Sequence, residues 1–333
     1  MPTAASAASA PVRQLDADHV TELTTLAAEL LDIHTSATSP ALLADLSHAS
    51  RRLSRELHEA LRPVETADGL FVLRGLRVDD TELGPTPGHW STVAQAGALW
   101  DVVLLLASTL MGTPIAWDGQ QDGRFVHNIV PSPGQETVQT GASSSVLLTP
   151  HTEDAFHPGR AHLLLLCCMR NHDNIATTAA SIRLTELSDD DVSQLSRPVV
   201  PILPDDAYEE ARQFGGKPAP VPTLFTGEDG LTLRFDPAYT PLEEADESWR
   251  ASYGRLEDEL ARVSVAVSLE PGDVLVVDND MVVHGRVPFT ARYDGTDRWL
   301  KRASVRVPGR RTRPEAETTE HGYGQAALEA WAA

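Results

Sequence analysis

The feature that most constrains the fold is a change in hydrophobic pattern at Pro114. Before it, apolar residues recur every three or four positions over 15–62 and again over 92–112, which predicts helices. After it, the apolar segments are short and are separated by Gly, Pro, Asn or Asp, as is typical of strands in a sandwich or barrel. The strand-like segments are 146–148, 162–169, 231–235, 273–278, 281–287 and 303–307. The pattern predicts helices packed on a β core, and therefore an α+β fold.

Two other segments complete the organisation of the chain. Residues 68–77 form an extended run within the helical part, and 241–266 form an insertion that contains the helical stretch WRASYGRLEDELARV. The predicted units are a disordered tail over 1–14 and a single domain over 15–333, made of a helical front over 15–112 and a core over about 113–310.

Charge and composition exclude several classes of function. The formal net charge is -21, so the surface repels phosphate backbones and no nucleic-acid partner is expected. No apolar run approaches the roughly 20 residues of a membrane span, and the first residues lack the apolar stretch of a signal peptide. The two cysteines, Cys167 and Cys168, are adjacent and cannot build a disulfide framework, which predicts a cytoplasmic protein. They lie in an apolar run and are interpreted as small buried side chains. The sequence carries no signal for an oligomeric state.

The motif with the most chemical content is His151-Thr152-Glu153. In an extended chain, residues i and i+2 point to the same face, so the imidazole and the carboxylate can reach one point. A second imidazole would complete two histidines and one carboxylate on one face of a metal, the pattern of non-haem Fe(II) sites with open positions. Elsewhere, His127, His157, His162 and His172 lack a partner at a matching spacing and are predicted at surface or hydrogen-bonded core positions.

A histidine that fits this role is His284, at the start of an extended run after a strong strand and a polar turn. Arg298 follows fourteen residues later, and Arg302 lies in the same segment. A guanidinium can hold a carboxylate with two parallel hydrogen bonds, as a keto-acid co-substrate beside such a metal requires. The combination of HxE, a distant HGR and then arginine is far rarer than HxE alone.

The segments HTEDAF and VDNDMVVHGRVPFTARYDGTDRWLKR, with the helices-then-strands layout, resemble the clavaminate synthase-like Fe(II)/2-oxoglutarate-dependent oxygenases. Within that family, the chain is most similar to hydroxylases of free arginine, asparagine, citrulline and lysine. The likeness extends from about residue 68 onward. It implies a double-stranded β-helix (jelly-roll) core with flanking helices, and Fe(II), 2-oxoglutarate and O2 as cofactors.

The resemblance also implies roles for individual residues. His151, Glu153 and His284 match the iron ligands, and Arg298 and Thr177 match the residues that bind the distal carboxylate of 2-oxoglutarate, with Thr178 as the neighbouring alternative. The matches to substrate-binding positions are Arg302 for the α-carboxylate, Gln120 (or Gln121) and Glu153 for the α-amine, and Asp236 for the side-chain end.

One departure from the family affects the substrate. The arginine hydroxylases have a second acidic residue two positions after the one matched by Asp236, and here that position is Ala238. A single carboxylate can pair with an ammonium or, less completely, with a guanidinium. Lysine, ornithine, citrulline and arginine all remain candidate substrates.

The predicted function is hydroxylation of a free, basic L-amino acid at C3 or C4 in secondary metabolism. The first alternative keeps the cofactors but ends in desaturation or cyclisation of the amino acid. The second is a non-catalytic jelly-roll binding protein, which would have no need of the keto-acid grip that Arg298 and Thr177 represent.

Overall fold

The structure is a computed structural model that describes residues 10–93, 96–208, 219–311, 313, 314, 317 and 320–331. Within them, the helices are α1 (Ala17–His34), α2 (Pro40–Ala49), α3 (Arg55–Ala60), α4 (Asp80–Leu83), α5 (Ala96–Met111), α6 (Asp189–Leu195) and α7 (Glu247–Val263). The helix predicted over 92–112 is α5, and residues 94 and 95 of that prediction lie outside the described part. The helix predicted within the insertion is α7.

The strands form a large sheet, a small sheet and a hairpin. In chain order they are β1 (Val12–Gln14), β2 (Leu70–Arg74), β3 (Thr113–Trp117), β4 (Val126–Ile129), β5 (Leu148–His151), β6 (Leu163–Arg170), β7 (Thr177–Ser181), β8 (Leu224–Gly227), β9 (Gly230–Leu233), β10 (Val265–Val267), β11 (Val274–Asp278), β12 (Val282–Arg286), β13 (Trp299–Arg306) and β14 (Ala327–Glu329). The large sheet has the order β1-β2-β11-β6-β13-β3-β14, with β4 also paired to β13. The small sheet has the order β10-β7-β12-β5, and β8 and β9 make the hairpin.

Strand β6 separates two hydrophobic clusters. Its residues Leu163, Leu165, Cys167 and Met169 pack with α1, α2 and α5 in one cluster, and Leu164, Leu166 and Cys168 pack with the small sheet and α7 in the other. This alternation is the period-two pattern of a strand that is buried on both faces. The layers are therefore helices, large sheet and small sheet. The two cysteines are free and buried, as the sequence predicts, and they lie on opposite faces of the strand.

Part of the segment predicted as a disordered tail is an ordered strand. Residues 1–9 of the predicted tail lie outside the described residues, but Val12–Gln14 form β1, which pairs in parallel with β2. The Arg13 guanidinium lies 3.8 Å from the centre of the Phe71 ring and donates to the carbonyl of Pro63 at 3.3 Å. These contacts with distant residues order a segment whose own sequence carries no strand pattern.

The helical pattern predicted over 15–62 is broken between α2 and α3. Between α2 and α3 the chain turns out of the helix at Leu53, and Ser54 begins the next helix by accepting a hydrogen bond from the backbone N–H of Leu57. The Glu22 carboxylate of α1 accepts from the Ser54 hydroxyl at 2.7 Å. The N-cap residue Ser54 is the sequence signal for this break.

None of the helices in the described part of the chain is both long and apolar enough to cross a bilayer.

Candidate metal centre

Three side chains from two adjacent strands of the small sheet converge on one point. His151 ends β5, Glu153 follows two residues later, and His284 lies in β12 directly opposite His151. Their potential ligand atoms all lie within 4.8 Å of one another. Glu153 Oε2 is 3.3 Å from His284 Nε2 and 3.8 Å from His151 Nε2. The structure thus brings together the three metal ligands that the resemblance implies, two histidines and one carboxylate on one face.

Local contacts orient these side chains. His151 Nδ1 lies 2.8 Å from the carbonyl oxygen of Thr149, which can only accept, so this nitrogen carries the proton and Nε2 presents its lone pair. The side chain of Asn279 accepts from the Glu153 N–H at 2.8 Å and donates to the Glu153 carbonyl at 3.0 Å. Asn279 lies in the turn that leads to His284, so that turn holds the HTE segment and the second histidine together.

Glycine at position 285 allows the two ligand-bearing strands to approach. A Cβ atom built on Gly285 would lie 2.4 Å from the carbonyl oxygen of Leu148 and 3.1 Å from the backbone nitrogen of Pro150. Both atoms belong to the backbone of β5, which cannot move aside as a flexible side chain could. The separation of His151 and His284 therefore depends on the absence of a side chain at this position.

The electrostatics of the site favour a cation at Glu153. Burial alone would raise the pKa of Glu153, but Arg302 and the two imidazoles hold it well below its ordinary value. Its Oε1 atom forms an ion pair with Arg302, whereas Oε2 is buried and has no hydrogen-bond donor among the described residues. A buried carboxylate oxygen between two imidazole nitrogens is suited to a divalent metal, and this donor set fits Fe(II).

Beside the triad lies a guanidinium with no carboxylate partner among the described residues. Arg298 precedes β13 and is 8% exposed; its Nη2 donates to Thr177 Oγ1 at 2.8 Å. Burial lowers the pKa of Arg298 to about 10. A buried, unpaired cation this close to the triad is a site for an organic anion. The neighbouring hydroxyl, that of Thr178, is buried and makes no hydrogen bond to a described residue, so the structure favours Thr177 of the two threonines.

Arg302 lies four residues further along β13 and is surrounded by acceptors. Its guanidinium pairs with Glu153 and donates to Gln120 Oε1 at 3.3 Å and to His127 Nδ1 at 3.0 Å. His127 stands opposite Arg302 on β4. Burial and the charge of Arg302 lower the pKa of His127 to about 3, so the ring is neutral and accepts. Gln121 instead bonds to the backbone of Asn128 in both directions, which favours Gln120 as the polar group beside Arg302.

The carboxylate matched to the substrate's side-chain end, Asp236, is 8% exposed and follows β9. The segment after β9 is attached to the metal motif by two hydrogen bonds. The Thr152 N–H donates to the Phe235 carbonyl, and the Phe235 N–H donates to the Thr152 hydroxyl. Burial raises the pKa of Asp236 to about 7. The charge of Asp205 adds to this rise, and His151 opposes it. Burial and Asp154 likewise raise the pKa of Asp205 to about 7. Two desolvated carboxylates that repel each other are stabilised by a cation placed between them.

These groups border a cleft of about 620 Å³. Among the residues that line it are Gln120, His151, Glu153, Thr177, Asp205, His284, Arg298 and Arg302. Asp236 is not among the lining residues, although it is electrostatically coupled to two that are. Such a cleft accommodates a small organic molecule together with a co-substrate.

Three functional candidates were not singled out by sequence reasoning. Asp205 lies in a Pro-Asp-Asp turn and carries no motif. His127 is a hydrogen-bonded core histidine, as predicted, but the group it bonds is Arg302. Asp154 lies within the HTEDAF motif, but its partner Tyr208 is 54 residues away and no sequence pattern connects the two.

Comparison with known proteins agrees with this geometry. Residues 36–304 match the model of the family described as taurine catabolism dioxygenase TauD, TfdA family. An enduracididine beta-hydroxylase of Streptomyces hygroscopicus is 40% identical over 290 residues, with 79% of this chain and 83% of the relative covered. Clavaminate synthase 2 of Streptomyces clavuligerus is 33% identical over 295 residues, with 86% and 89% covered.

Among solved structures, the non-heme iron oxygenase OrfP in complex with iron, succinate and (3R,4R)-dihydroxy-L-arginine is similar, with a TM-score of 0.81. It is 36% identical, and the match covers 89% of this chain and 94% of OrfP. The resemblance to clavaminate synthase-like oxygenases and amino-acid hydroxylases is therefore confirmed, and the family match implies the jelly-roll core. The three triad residues and both arginines lie within the matched range. The chain is a dioxygenase of the TauD, TfdA family.

Proposed function

We propose that this enzyme hydroxylates a free, basic L-amino acid at C3 or C4, with Fe(II), 2-oxoglutarate and O2 as cofactors. The observation that carries the proposal is the set of charged groups at the cleft. Glu153 and Arg302 form an ion pair at the triad. The carboxylates of Asp205 and Asp236 interact with each other and with His151. The ion pair is complementary to the α-ammonium and α-carboxylate of an amino acid, and the two carboxylates are complementary to a cationic side chain.

The residues that would hold the cofactors follow from the donors present. His151, Glu153 and His284 would hold iron through Nε2, Oε2 and Nε2, and Arg298 with Thr177 would hold the distal carboxylate of 2-oxoglutarate. Bound there, iron and 2-oxoglutarate supply, with O2, the oxidation that inserts oxygen into a C–H bond. The protein's own contribution is to orient the substrate and to exclude water.

The ion pair of Glu153 and Arg302 would bind the α-ammonium and α-carboxylate of the substrate. A zwitterion presents an ammonium and a carboxylate, and these match Glu153 Oε1 with Gln120 on one side and Arg302 on the other. The neutral His127 accepts from Arg302 and so fixes the plane of the guanidinium without adding charge. A free α-carboxylate would give the Arg302 guanidinium a second anionic partner beside Glu153, which supports a free amino acid.

The side-chain end supports a cation, and Asp205 bears on the choice among basic amino acids. Ala238 removes the second acid of the arginine-hydroxylase pattern, but Asp205 supplies another carboxylate that interacts with Asp236. Two carboxylates can pair with a guanidinium more completely than one. OrfP is named in complex with a dihydroxy-arginine, which agrees with this inference.

Clamping both ends selects the carbon that reacts. With the α-ammonium on Glu153 and the side chain extending towards Asp205 and Asp236, C3 and C4 are the carbons expected to lie within reach of the triad. A displacement of about 1 Å can cost on the order of 100-fold in rate, so these contacts determine regioselectivity.

The test is a substrate panel with Fe(II) and 2-oxoglutarate under air. Hydroxylation consumes one amino acid, one 2-oxoglutarate and one O2 and yields the hydroxy amino acid, succinate and CO2. We expect L-arginine, L-ornithine or L-lysine to gain the mass of one oxygen atom with equimolar succinate, and L-citrulline to react more slowly. A product lighter than the substrate by two hydrogen atoms would show that the reaction is desaturation or cyclisation and not hydroxylation.

Absence of coupled turnover with every free amino acid of the panel would contradict the proposal. His151→Ala is the control variant. It abolishes turnover in an enzyme, whereas a binding protein that does not need metal would keep its affinity for the amino acid.

We also propose the finer features that accompany this function. The two sheets close as a double-stranded β-helix, and residues 15–333 act as one catalytic domain. The partner is a small-molecule amino acid, and neither nucleic acid nor membrane is expected to bind. The free, buried thiols Cys167 and Cys168 support a cytoplasmic location.

A further inference from the structure

The residue after the metal-ligating glutamate, Asp154, has an unusual environment. Its backbone is left-handed, with φ of 52°, and its side chain is 6% exposed. One carboxylate oxygen accepts from Trp117 Nε1 at 2.7 Å, and the other accepts from the Tyr208 hydroxyl at 2.5 Å. Both donors are neutral, so the cost of burying this charge is offset by orientation-dependent hydrogen bonds instead of an ion pair.

Tyr208 belongs to a wall of the cleft. Asp205, Asp206, Ala207 and Tyr208 all line it, and the stretch is turned by a hydrogen bond from the Tyr208 N–H to the Asp205 carbonyl at 3.2 Å. The Tyr208 ring packs edge-on against Phe156, with centroids 4.8 Å apart. The same tyrosine therefore contacts the HTEDAF segment twice, through its ring and through its hydroxyl.

Few residues separate the Asp154–Tyr208 hydrogen bond from the metal motif on one side and from Asp205 on the other. Asp154 is the next residue after Glu153, and Tyr208 is three residues from Asp205, the carboxylate available to the cationic end of a substrate. A purely packing role at position 154 would be filled by an apolar residue without desolvating a carboxylate. A left-handed, buried aspartate that receives two hydrogen bonds is the arrangement expected of a group that fixes direction.

We propose that Asp154 and Tyr208 are positioning residues that couple the substrate wall to the metal motif. Their hydrogen bond holds Asp205 at a fixed distance from Glu153, so that a substrate bound at Asp205 has its reacting carbon in register with the metal. This inference rests on the proposed function. It predicts that loss of the contact loosens the grip on the amino acid and uncouples 2-oxoglutarate consumption from hydroxylation, while the Arg298 site is unaffected.

The test is Tyr208→Phe in the full-length enzyme loaded with Fe(II) and 2-oxoglutarate. L-arginine is the first probe, followed by the panel member that the wild type converts fastest. We expect the KM for the amino acid to rise by up to about tenfold, the limit reached if the whole contribution of this hydrogen bond to a charged group holds Asp205 in its binding position. The ratio of succinate to hydroxylated product should rise above one. The dissociation constant of 2-oxoglutarate, titrated calorimetrically without O2, should match that of the wild type.

Two comparisons separate positioning from general stability. Tyr323→Phe removes a hydroxyl from the same aromatic cluster, one that donates to the Ile202 carbonyl at 3.0 Å, and should keep tight coupling. Asp154→Asn retains an oxygen that can accept from Tyr208 and should remain closer to the wild type than Asp154→Ala.

The outcomes are distinguishable. Wild-type KM and coupling in Tyr208→Phe, or equal losses in Tyr323→Phe, would overturn the inference while leaving the proposed function intact. If the wild type converts no amino acid, the proposed function fails and the inference fails with it.

Discussion

Gly285 of β12 lies so close to Leu148 of β5 that a Cβ at position 285 would stand 2.4 Å from the Leu148 carbonyl oxygen. This contact lies beside the direct pairing of His284 with His151. The close approach of the two strands is therefore part of the metal site, although neither residue is a ligand.

Gly285→Ala should weaken iron binding without removing a ligand. The added methyl group pushes β5 away, and ligands displaced from their geometry lose affinity, by about 10- to 100-fold if the effect equals that of losing a supporting contact. Equilibrium dialysis of Fe(II) measures it. Gly254→Ala is the matched control because a Cβ there would meet nothing within 4 Å. Equal affinities of the two variants would contradict the prediction.

Thr177→Val should raise the KM for 2-oxoglutarate about tenfold, with little change in the KM for the amino acid. The valine has the same shape but cannot accept from Arg298 or donate to the co-substrate, and a hydrogen bond to a charged group is worth about 1.5–3 kcal/mol. Steady-state kinetics with varied 2-oxoglutarate measures it. Thr178→Val, which removes a hydroxyl that bonds to no described residue, should behave like the wild type.

Asp205→Asn and Asp236→Asn should each lower kcat/KM for L-arginine by tenfold or more. Each removes one of the two carboxylates proposed to interact with the cationic end of the substrate, and L-citrulline, which has a similar shape but no charge, should be affected much less. The ratio of the two substrates' kcat/KM values isolates the charge. Asp236→Ala should likewise lose discrimination more than it loses uncoupled 2-oxoglutarate turnover. Equal losses with both substrates would make the two residues structural.

The activity towards cationic substrates should fall as pH drops below about 7. Burial raises the pKa of both Asp205 and Asp236 to about 7, so each is protonated and neutral below that pH and cannot pair with a cation. A pH profile of kcat/KM for L-arginine should therefore have an acidic limb near pH 7, well above the ordinary range of aspartate. In Asp205→Asn the limb should move to lower pH, because a repelling neighbour of Asp236 is gone. A profile for L-citrulline that matches that for L-arginine would contradict this assignment.

Glu317→Gln should destabilise the fold by about 3 kcal/mol, because it breaks buried ion pairs from one side. Glu317 Oε1 lies 3.2 Å from Arg160 and 3.3 Å from Arg234, and both guanidiniums are almost fully buried. The free energy of unfolding in urea measures the effect. Glu329→Gln breaks the more exposed pair with Arg306 and should cost less than about 1 kcal/mol. Similar losses in both variants would contradict the role of the buried cluster.

The convergence of the three candidate ligands was predictable because it depends on local sequence patterns. His151 and Glu153 share a face by the period of a strand, and His284 and Arg298 are marked by a spacing that the resemblance made specific. Asp205 and the partnership of His127 with Arg302 were not predictable, because they arise where β4, β13 and the 205–208 turn meet in space. In the sequence, an Asp-Asp turn at a functional site looks the same as one on the surface. A histidine that contacts a functional arginine likewise looks the same as an ordinary core histidine.

The fold shows the same division. The period of 3.6 before Pro114 and the short apolar runs after it predicted helices α1 and α5 and strands β6, β11 and β12. β1 was missed because three residues with an exposed-intermediate-exposed pattern have no period to detect. Its pairing with β2 is a tertiary event, stabilised by contacts of Arg13 with Phe71 and the 60–63 backbone.

Strand β6 is the common boundary of both hydrophobic clusters, and this has a consequence for how the molecule melts. Neither the helices on one side nor the small sheet on the other can lose its packing without exposing the same strand to water. The helices, which do not contact the metal site, should therefore unfold together with the small sheet that carries it. The helices beyond β6 thus share in the stabilisation that iron and 2-oxoglutarate confer on the small sheet.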